Sequence, residues 1–562
     1  MKKVVSLFLS MMLVLGTLSV TAFCAPEEPF TIAGALGDDM VLQRDAEICI
    51  WGTSSQKGAE ISVTFKGKTT STTVDENGKW QVMLPKESAD KNESELTVTL
   101  GDYSKTLTGI LVGDVYLVGG QSNAELTLGS VATEYKSSQI SQMISEQEGM
   151  IRYFTQKRDD AKSNKEAMAS PQEEPLKGKK WRTESRSTAN AFSAMGFFFA
   201  HKMVKETDVP MGMIMVASAG SPLSQLMSAQ AAATAQYMRY ENDIPVSGMY
   251  NALMHPFIHM TIKGMIFYQG ESEAGLAKSD YGKYNEYMNI YVEDLRQKMD
   301  QDFPFYYVQL SSHGGQGLTS WPQIAEQRAV QFDGLSVVKN SGMVVSMDQG
   351  YQDGDPDWAH PLYKQPVGER LAALALARDY GIGEEEQVSS PMPEYAYKTE
   401  EGTVVHFKNT AGGLKKLGSA ETLKGFKAIV ATGYSDVEAT ILNENEVLLK
   451  TNSFSGLSGI GYGLELLAFV DHEEEKYIAN LGNGSDLPAP TFKITNILDE
   501  APNGNSDAET PGGDQTVEPS GNGTNGETSS DTGLIIAISA AVVIVAAAVV
   551  AAIIISKKKD KK

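Results

Sequence analysis

Cysteine is nearly absent: the 562 residues contain two, Cys24 and Cys49. That excludes a disulfide scaffold and a thiolate metal cluster. Histidine is also scarce, with seven in the chain, so few candidates exist for a general base. Basic residues form no stripe outside the last six positions, and the net charge is -23. Phosphate binding needs a clustered basic face, so nucleic acid is excluded as a partner. What remains is ordinary globular material: 41% hydrophobic, 8% aromatic and 21% charged residues, long enough for three or four domains.

The ends read as an address. Met1 to Ala25 has Lys2-Lys3, an apolar stretch from Val4 to about Val20, then small residues, the pattern of a secretory signal. Leu534 to Ser556 carries no charge, and at about 1.5 Å per helical residue it reaches roughly 34 Å, enough to cross a bilayer. Lys557-Lys558-Lys559 follows, which marks a cytoplasmic side. Asp499 to Gly533 has eight acidic residues and no basic one, as a self-repelling stalk would. The expectation is a single-pass cell-membrane protein with the bulk of the chain outside, held to the membrane by a C-terminal helix.

Between the ends the pattern changes twice. From Glu28 to Lys105, short alternating runs such as Ile61-Ser62-Val63-Thr64-Phe65 indicate a β-sandwich, and Asn77-Gly78 suits a tight hairpin turn. After Thr108, apolar runs (Tyr116-Leu117-Val118, Met213 to Val216, Met265 to Tyr268, Phe305 to Val308, Met343 to Ser346) alternate with helical stretches such as Tyr284 to Met299 and Gln365 to Tyr380. This predicts an α/β unit whose parallel sheet is covered on both faces. From Pro391 to Ile494 short strands return.

Ligands of such sheets lie beyond the carboxyl ends of the strands. Val118-Gly119-Gly120-Gln121-Ser122-Asn123-Ala124-Glu125 is a strand, a glycine turn and a helix start, suited to presenting Ser122 as a nucleophile near backbone N–H groups. Ser122 and Glu125 also have capping-box spacing, which needs no chemistry. Phe267-Tyr268-Gln269-Gly270-Glu271 ends a second strand, where Gln269 can donate its amide to an oxyanion and Glu271 can orient a partner or bind substrate. Asp353-Gly354-Asp355-Pro356-Asp357-Trp358-Ala359-His360 supplies a histidine with a carboxylate three residues before it, as a base and its orienting acid require. His313 competes for the base, and His255 and His259 stand four apart like metal ligands without a third. Asp353, Asp355 and Asp357 alternate as in a calcium loop, but its glycine and final glutamate are misplaced.

Gly120-Gln121-Ser122-Asn123 with Glu125, Tyr268-Gln269-Gly270-Glu271-Ser272, and His360-Pro361 followed by Lys364, Gly368, Arg370 and Leu371 together resemble the sialate O-acetylesterases, a branch of the SGNH hydrolases. Asp39 to Arg44, Trp51-Gly52, Gly78-Lys79-Trp80 and Val112 to Val115 are similar to that family's N-terminal sandwich and its junction. Asn480 to Asn483 and Leu487 to Pro490 resemble its C-terminal β-domain. The resemblance implies an SGNH-hydrolase, flavodoxin-like α/β/α domain over 108–384, between a β-sandwich at 25–107 and a β-domain at 385–497. The remaining segments are a signal peptide (1–24), the stalk (498–533), the membrane helix (534–556) and a basic tail (557–562).

By the same resemblance Ser122 is the nucleophile, His360 the base and Asp357 the orienting acid, with oxyanion donors at the Ser122 and Gly220 N–H groups and the Gln269 amide. Asn123 and Glu271 would bind substrate, and no cofactor or metal is implied. The sequence departs from the family at Ala219-Gly220-Ser221-Pro222, where Gly-Gly-Thr-Pro is usual. Trp358-Ala359 separates Asp357 from His360 where one residue is usual, so Asp355 is an alternative acid, and Ala124 replaces a common Met. The implied activity is removal of O-acetyl groups from sialic acids. The alternatives are an esterase for acetylated xylan or another O-acetylated polysaccharide, and a surface glycan-binding protein without chemistry.

Overall fold

The computed structural model describes residues 28–502 except 241, 275–280, 313–322, 351–359, 466–468 and 472–475. Fourteen strands and their helices, numbered in chain order, build everything around the site. In the N-terminal part, β1 (Phe30–Ile32), β3 (Ile48–Ser54) and β6 (Lys79–Leu84) form one antiparallel sheet. The strands β4 (Glu60–Phe65), β5 (Lys68–Thr73) and β7 (Asp90–Leu100) join β8 (Tyr103–Gly120), which also takes β2 (Val41–Gln43) in parallel. Alternation explains both sheets: Ile61, Val63 and Phe65 are buried while Glu60 is exposed. Asn77-Gly78 does form a turn, closed by Asp75 Oδ1 accepting from Asn77 N–H and Lys79 N–H. It leads from β5 in one sheet to β6 in the other and joins no paired hairpin.

β8 does not stop at the expected 107/108 boundary. Its first half pairs antiparallel with β7, and its last seven residues pair in parallel with β11 (Met211–Met215) and β12 (Gly264–Tyr268). The central sheet runs β10 (Trp181–Thr183), β9 (Ile151–Thr155), β11, β8, β12, β13 (Phe305–Gln309), β14 (Ser341–Val345), with only β10 antiparallel. Its residues alternate between two cores. Tyr116, Val118, Met213 and Ile266 face the helices α2 (Ala194–Thr207) and α6 (Gln365–Asp379), while Val115, Leu117, Ile214 and Met265 share a core with α3 (Ala229–Ala235) and α4 (Tyr284–Met299). Both faces are dry, which is why these strands read as unbroken apolar runs.

One expectation is extended here and one is corrected. The parallel strands β11-β8-β12-β13-β14, counted along the chain, lie in the flavodoxin order 2-1-3-4-5, and β9 with the antiparallel β10 extends the sheet beyond β11. The single-pass membrane placement is overturned: among the described residues no helix is long and apolar enough to cross a membrane. The longest of them, α4, has 16 residues and spans about 24 Å, short of a hydrocarbon core of about 30 Å. The segments assigned to a signal, stalk, membrane helix and basic tail, 1–24 and 503–562, lie outside the described residues.

After α6 the chain forms a five-stranded sheet including Met392–Lys398 and Thr403–Lys408, and a four-stranded sheet including Phe426–Val430 and Phe492–Ile494. One buried arginine ties these strands to the central unit. Arg328, on α5 (Ile324–Val337), donates Nε to Thr491 Oγ1 at 3.0 Å, and Nη groups to the carbonyls of Ser311 (3.2 Å), Gly463 (3.0 Å) and Glu465. Burial pushes its pKa down to about 10. Gln309 adds a reciprocal pair with the Thr491 backbone, at 2.9 Å in each direction. Replacing Arg328→Met strands several buried acceptors, so urea unfolding should show a loss of at least about 3 kcal/mol. A loss below about 1 kcal/mol would remove Arg328 as the tie.

Candidate active site

The sheet changes its winding direction at β8, with earlier connections on the β11 side and later ones on the β12 side. The crevice beyond such a strand is where open α/β sheets hold ligands. β8 ends in glycine for a steric reason: at Gly120 (φ +124°) a Cβ would lie 2.1 Å from the Tyr268 carbonyl oxygen. That approach lets Gln121 N–H donate to Tyr268 O at 2.9 Å and turns the chain into the short helix α1 (Ser122–Glu125).

Ser122 is the first residue of α1, half-buried, and its Oγ lies 2.8 Å from His360 Nε2. The capping-box alternative fails. The N-cap is Gln121, and the Glu125 carboxylate accepts instead from Ala219 N–H at 2.5 Å. Burial raises the Glu125 pKa, against the lowering effect of hydrogen bonds from the Ala219 and Arg158 N–H groups. Glu125 thereby clamps the Ser218 to Gly220 turn onto α1, and Ser218 N–H donates to Gly120 O at 2.9 Å. Gly220 has φ +67°, a left-handed conformation that glycine adopts without strain. Among the described residues, neither Ser122 N–H nor Gly220 N–H donates a hydrogen bond.

His360 opens the described chain after a gap at 351–359, so Asp357, Asp355 and Asp353 lie outside the described residues, as does His313. The flanks of that gap are anchored. Asp348 accepts two parallel hydrogen bonds from Arg370 on α6, at 2.7 and 2.6 Å. Burial favours the neutral Asp348 acid, but the Arg370 guanidinium outweighs it and holds the pKa below the usual carboxylate value. The other described histidines are occupied elsewhere. His201 bonds Glu184 at 3.0 Å in the α2 core, His255 meets the Tyr250 hydroxyl at 3.1 Å, and His259 packs edge-on against Trp51. Among the described residues, no three His, Cys, Asp or Glu side chains are placed to hold a metal.

Three expected roles do not match the geometry. Gln269 is 1% exposed, and its Nε2 donates to Gln121 Oε1 (3.1 Å), Ser221 O (3.3 Å) and Glu273 Oε2 (2.5 Å), while its Oε1 accepts from Tyr284 (2.7 Å). An amide committed in this way has no donor left for an oxyanion; it ties the ends of β8 and β12 together. Asn123 and Glu271 are likewise buried, with Nδ2 donating to Glu271 Oε1 at 2.5 Å and Oδ1 accepting from Lys364 Nζ at 2.6 Å. Side chains closed off from solvent present no surface to a sugar, so they brace the floor of the site. Lys364 and Gln121 carry these braces, yet their only sequence signal was a place inside the quoted motifs.

The family model described as carbohydrate esterase, sialic acid-specific acetylesterase, matches residues 112–372. The sialate O-acetylesterase of Homo sapiens is 27% identical over 385 residues, covering 63% of this chain and 71% of that protein. That of Mus musculus is 27% identical over 413 residues, 63% of this chain and 74% of that one. The crystal structure of a carbohydrate acetylesterase from Xanthomonas citri superposes with a TM-score of 0.67 at 27% identity, covering 83% of this chain and 99% of that one.

Over residues 112–372 the chain matches the sialic acid-specific acetylesterase family. It is a carboxylic ester hydrolase of the carbohydrate esterase type, and Ser122 and His360 meet in the crevice at β8.

Beneath this esterase site sits an unusual acid. Glu273 is fully buried and takes hydrogen bonds from Leu223 N–H (2.7 Å), Tyr237 (3.2 Å) and Gln269. Burial raises its pKa from 4.5 to about 7, against the hydrogen bonds that favour the anion. The folded state therefore binds this proton more tightly than the unfolded chain. Its stabilising contribution is complete below about pH 4.5 and is lost as pH rises through about 7, on the order of 3 kcal/mol in total. Urea midpoints measured from pH 4.5 to 7.5 should fall less steeply for Glu273→Gln than for the wild type. Identical slopes would show that the acid does not titrate in this window.

Proposed function

We propose that this esterase removes O-acetyl groups from sialic acids through a serine acyl-enzyme. The observation that supports it most is the 2.8 Å contact between Ser122 Oγ and His360 Nε2 at the winding reversal of the sheet. In the first step the Ser122 proton passes to His360 Nε2 while Oγ bonds to the acetyl carbonyl carbon. The carbonyl oxygen takes the negative charge and is met by the Ser122 and Gly220 N–H groups, which have no competing acceptor among the described residues. The sugar oxygen then leaves with the proton from His360. Water, activated by the same imidazole, releases acetate and restores Ser122.

Asp357 is the proposed acid that orients His360, with Asp355 as its competitor. The donor set for the oxyanion is two backbone N–H groups, because the Gln269 amide is engaged in holding the loops. The relatives named sialate O-acetylesterase support sialic acid as the substrate class. An acetylated xylan or other neutral polysaccharide would use the same chemistry, so the substrate is decided by what the rim of the crevice recognises.

Ser122→Ala and His360→Ala should each lower kcat for acetate release from an O-acetylated sialic acid by about 10⁴-fold or more while the proteins stay folded. Wild-type rates in either variant would end the proposal. On Asp357→Asn the loss should exceed that of Asp355→Asn by at least about 100-fold, and the reverse ranking would move the orienting acid to Asp355.

A further inference from the structure

We infer that Arg158 is the residue that receives the substrate's carboxylate, an assignment that rests on the acetylesterase reading above. The side chain stands at the lip of the site: its Nη1 is 4.0 Å from where a Cβ on Gly220 would be, and Asn242 Nδ2 is 3.7 Å from the same point. Asn242 Nδ2 also donates to Gly220 O at 3.3 Å, which holds that amide beside the guanidinium. The backbone connects both to the nucleophile. Glu125, three residues after Ser122, accepts from the N–H groups of Arg158 and of Ala219.

Among the described residues the guanidinium itself has no partner. Arg158 Nε is shielded from water without a hydrogen bond, and among the described residues its side chain enters no ion pair. The Glu125 carboxylate, which takes the Arg158 backbone N–H, is already engaged by two backbone N–H groups. A shielded donor left unmatched is costly, and a guanidinium offers parallel donors in the geometry of a carboxylate. Sialic acids carry one carboxylate on the ring and neutral acetylated sugars carry none. A cation placed within reach of the oxyanion glycine would thus discriminate between the two substrate classes left open by the chemistry.

The test compares acetate release from an O-acetylated sialic acid, from its methyl ester and from an aryl acetate. The wild type should favour the free acid over its methyl ester by about 10- to 100-fold in kcat/KM, the scale of a hydrogen bond to a charged group. In Arg158→Met that preference should fall to near unity, mainly through KM, and Arg158→Lys should keep an intermediate preference. Equal rates on acid and ester in the wild type would overturn the carboxylate site even if no variant folds. An unchanged preference in Arg158→Met would overturn it as well. Failure of the wild type on all three esters, aryl acetate included, would instead sink the esterase reading on which the inference stands.

Discussion

Everything at the site depends on one close approach, that of Gly120 at the end of β8 to the Tyr268 carbonyl at the end of β12. Two adjacent parallel strands cannot carry side chains there, because a Cβ on Gly120 would lie 2.1 Å from the oxygen. With the glycine in place the strands close, Gln121 bonds across, and Ser122 emerges at the start of a one-turn helix facing His360. Because β8 is a single 18-residue strand, the position of Ser122 is also referred back to the N-terminal sheets: the strand that packs on β7 is the strand that leads into Ser122.

The floor of the crevice is polar and dry, an arrangement that is stable only when nearly every group is satisfied. Gln121, Gln269, Glu273 and Tyr284 form one hydrogen-bonded set, and Asn123, Glu271 and Lys364 form another. Each set draws on several elements, so the strand ends are held relative to each other by directional bonds as well as by packing. The exceptions are Glu271 Oε2, buried without a partner, and the lip, where Ser122 N–H, Gly220 N–H and the Arg158 side chain all lack partners among the described residues. Unsatisfied donors gather on the side that a substrate would approach, and satisfied ones lie beneath it.

Much of this was readable in advance where local rules govern. Strand ends, the glycine turn before Ser122 and the apolar runs of the central sheet follow from residue type and period alone, and the structure places Ser122 and His360 together. The engagement of the Gln269 amide is not legible in the sequence, because its competitors, Gln121 and Glu273, come from a neighbouring strand end and from the following helix. Asn123 and Glu271 read as sugar ligands since polar residues beside Ser122 look accessible in a sequence. Their burial results from Lys364, 241 positions away from Asn123. The strands β9 and β10 extend the flavodoxin order at the β11 edge, and the three residues of β10 carry no signal of that pairing.

By itself the sequence determined which residue types stand at the strand ends, since conformational freedom at glycine and side-chain period act over a few residues. The tertiary structure decided which polar groups are spent and which remain free. Ser122 and His360 are 238 positions apart, and Arg158 reaches Gly220 only because Glu125 draws both segments onto one helix turn. Hydrogen-bond satisfaction is a property of every group within about 3 Å, and such neighbourhoods exist only once the chain has closed on itself.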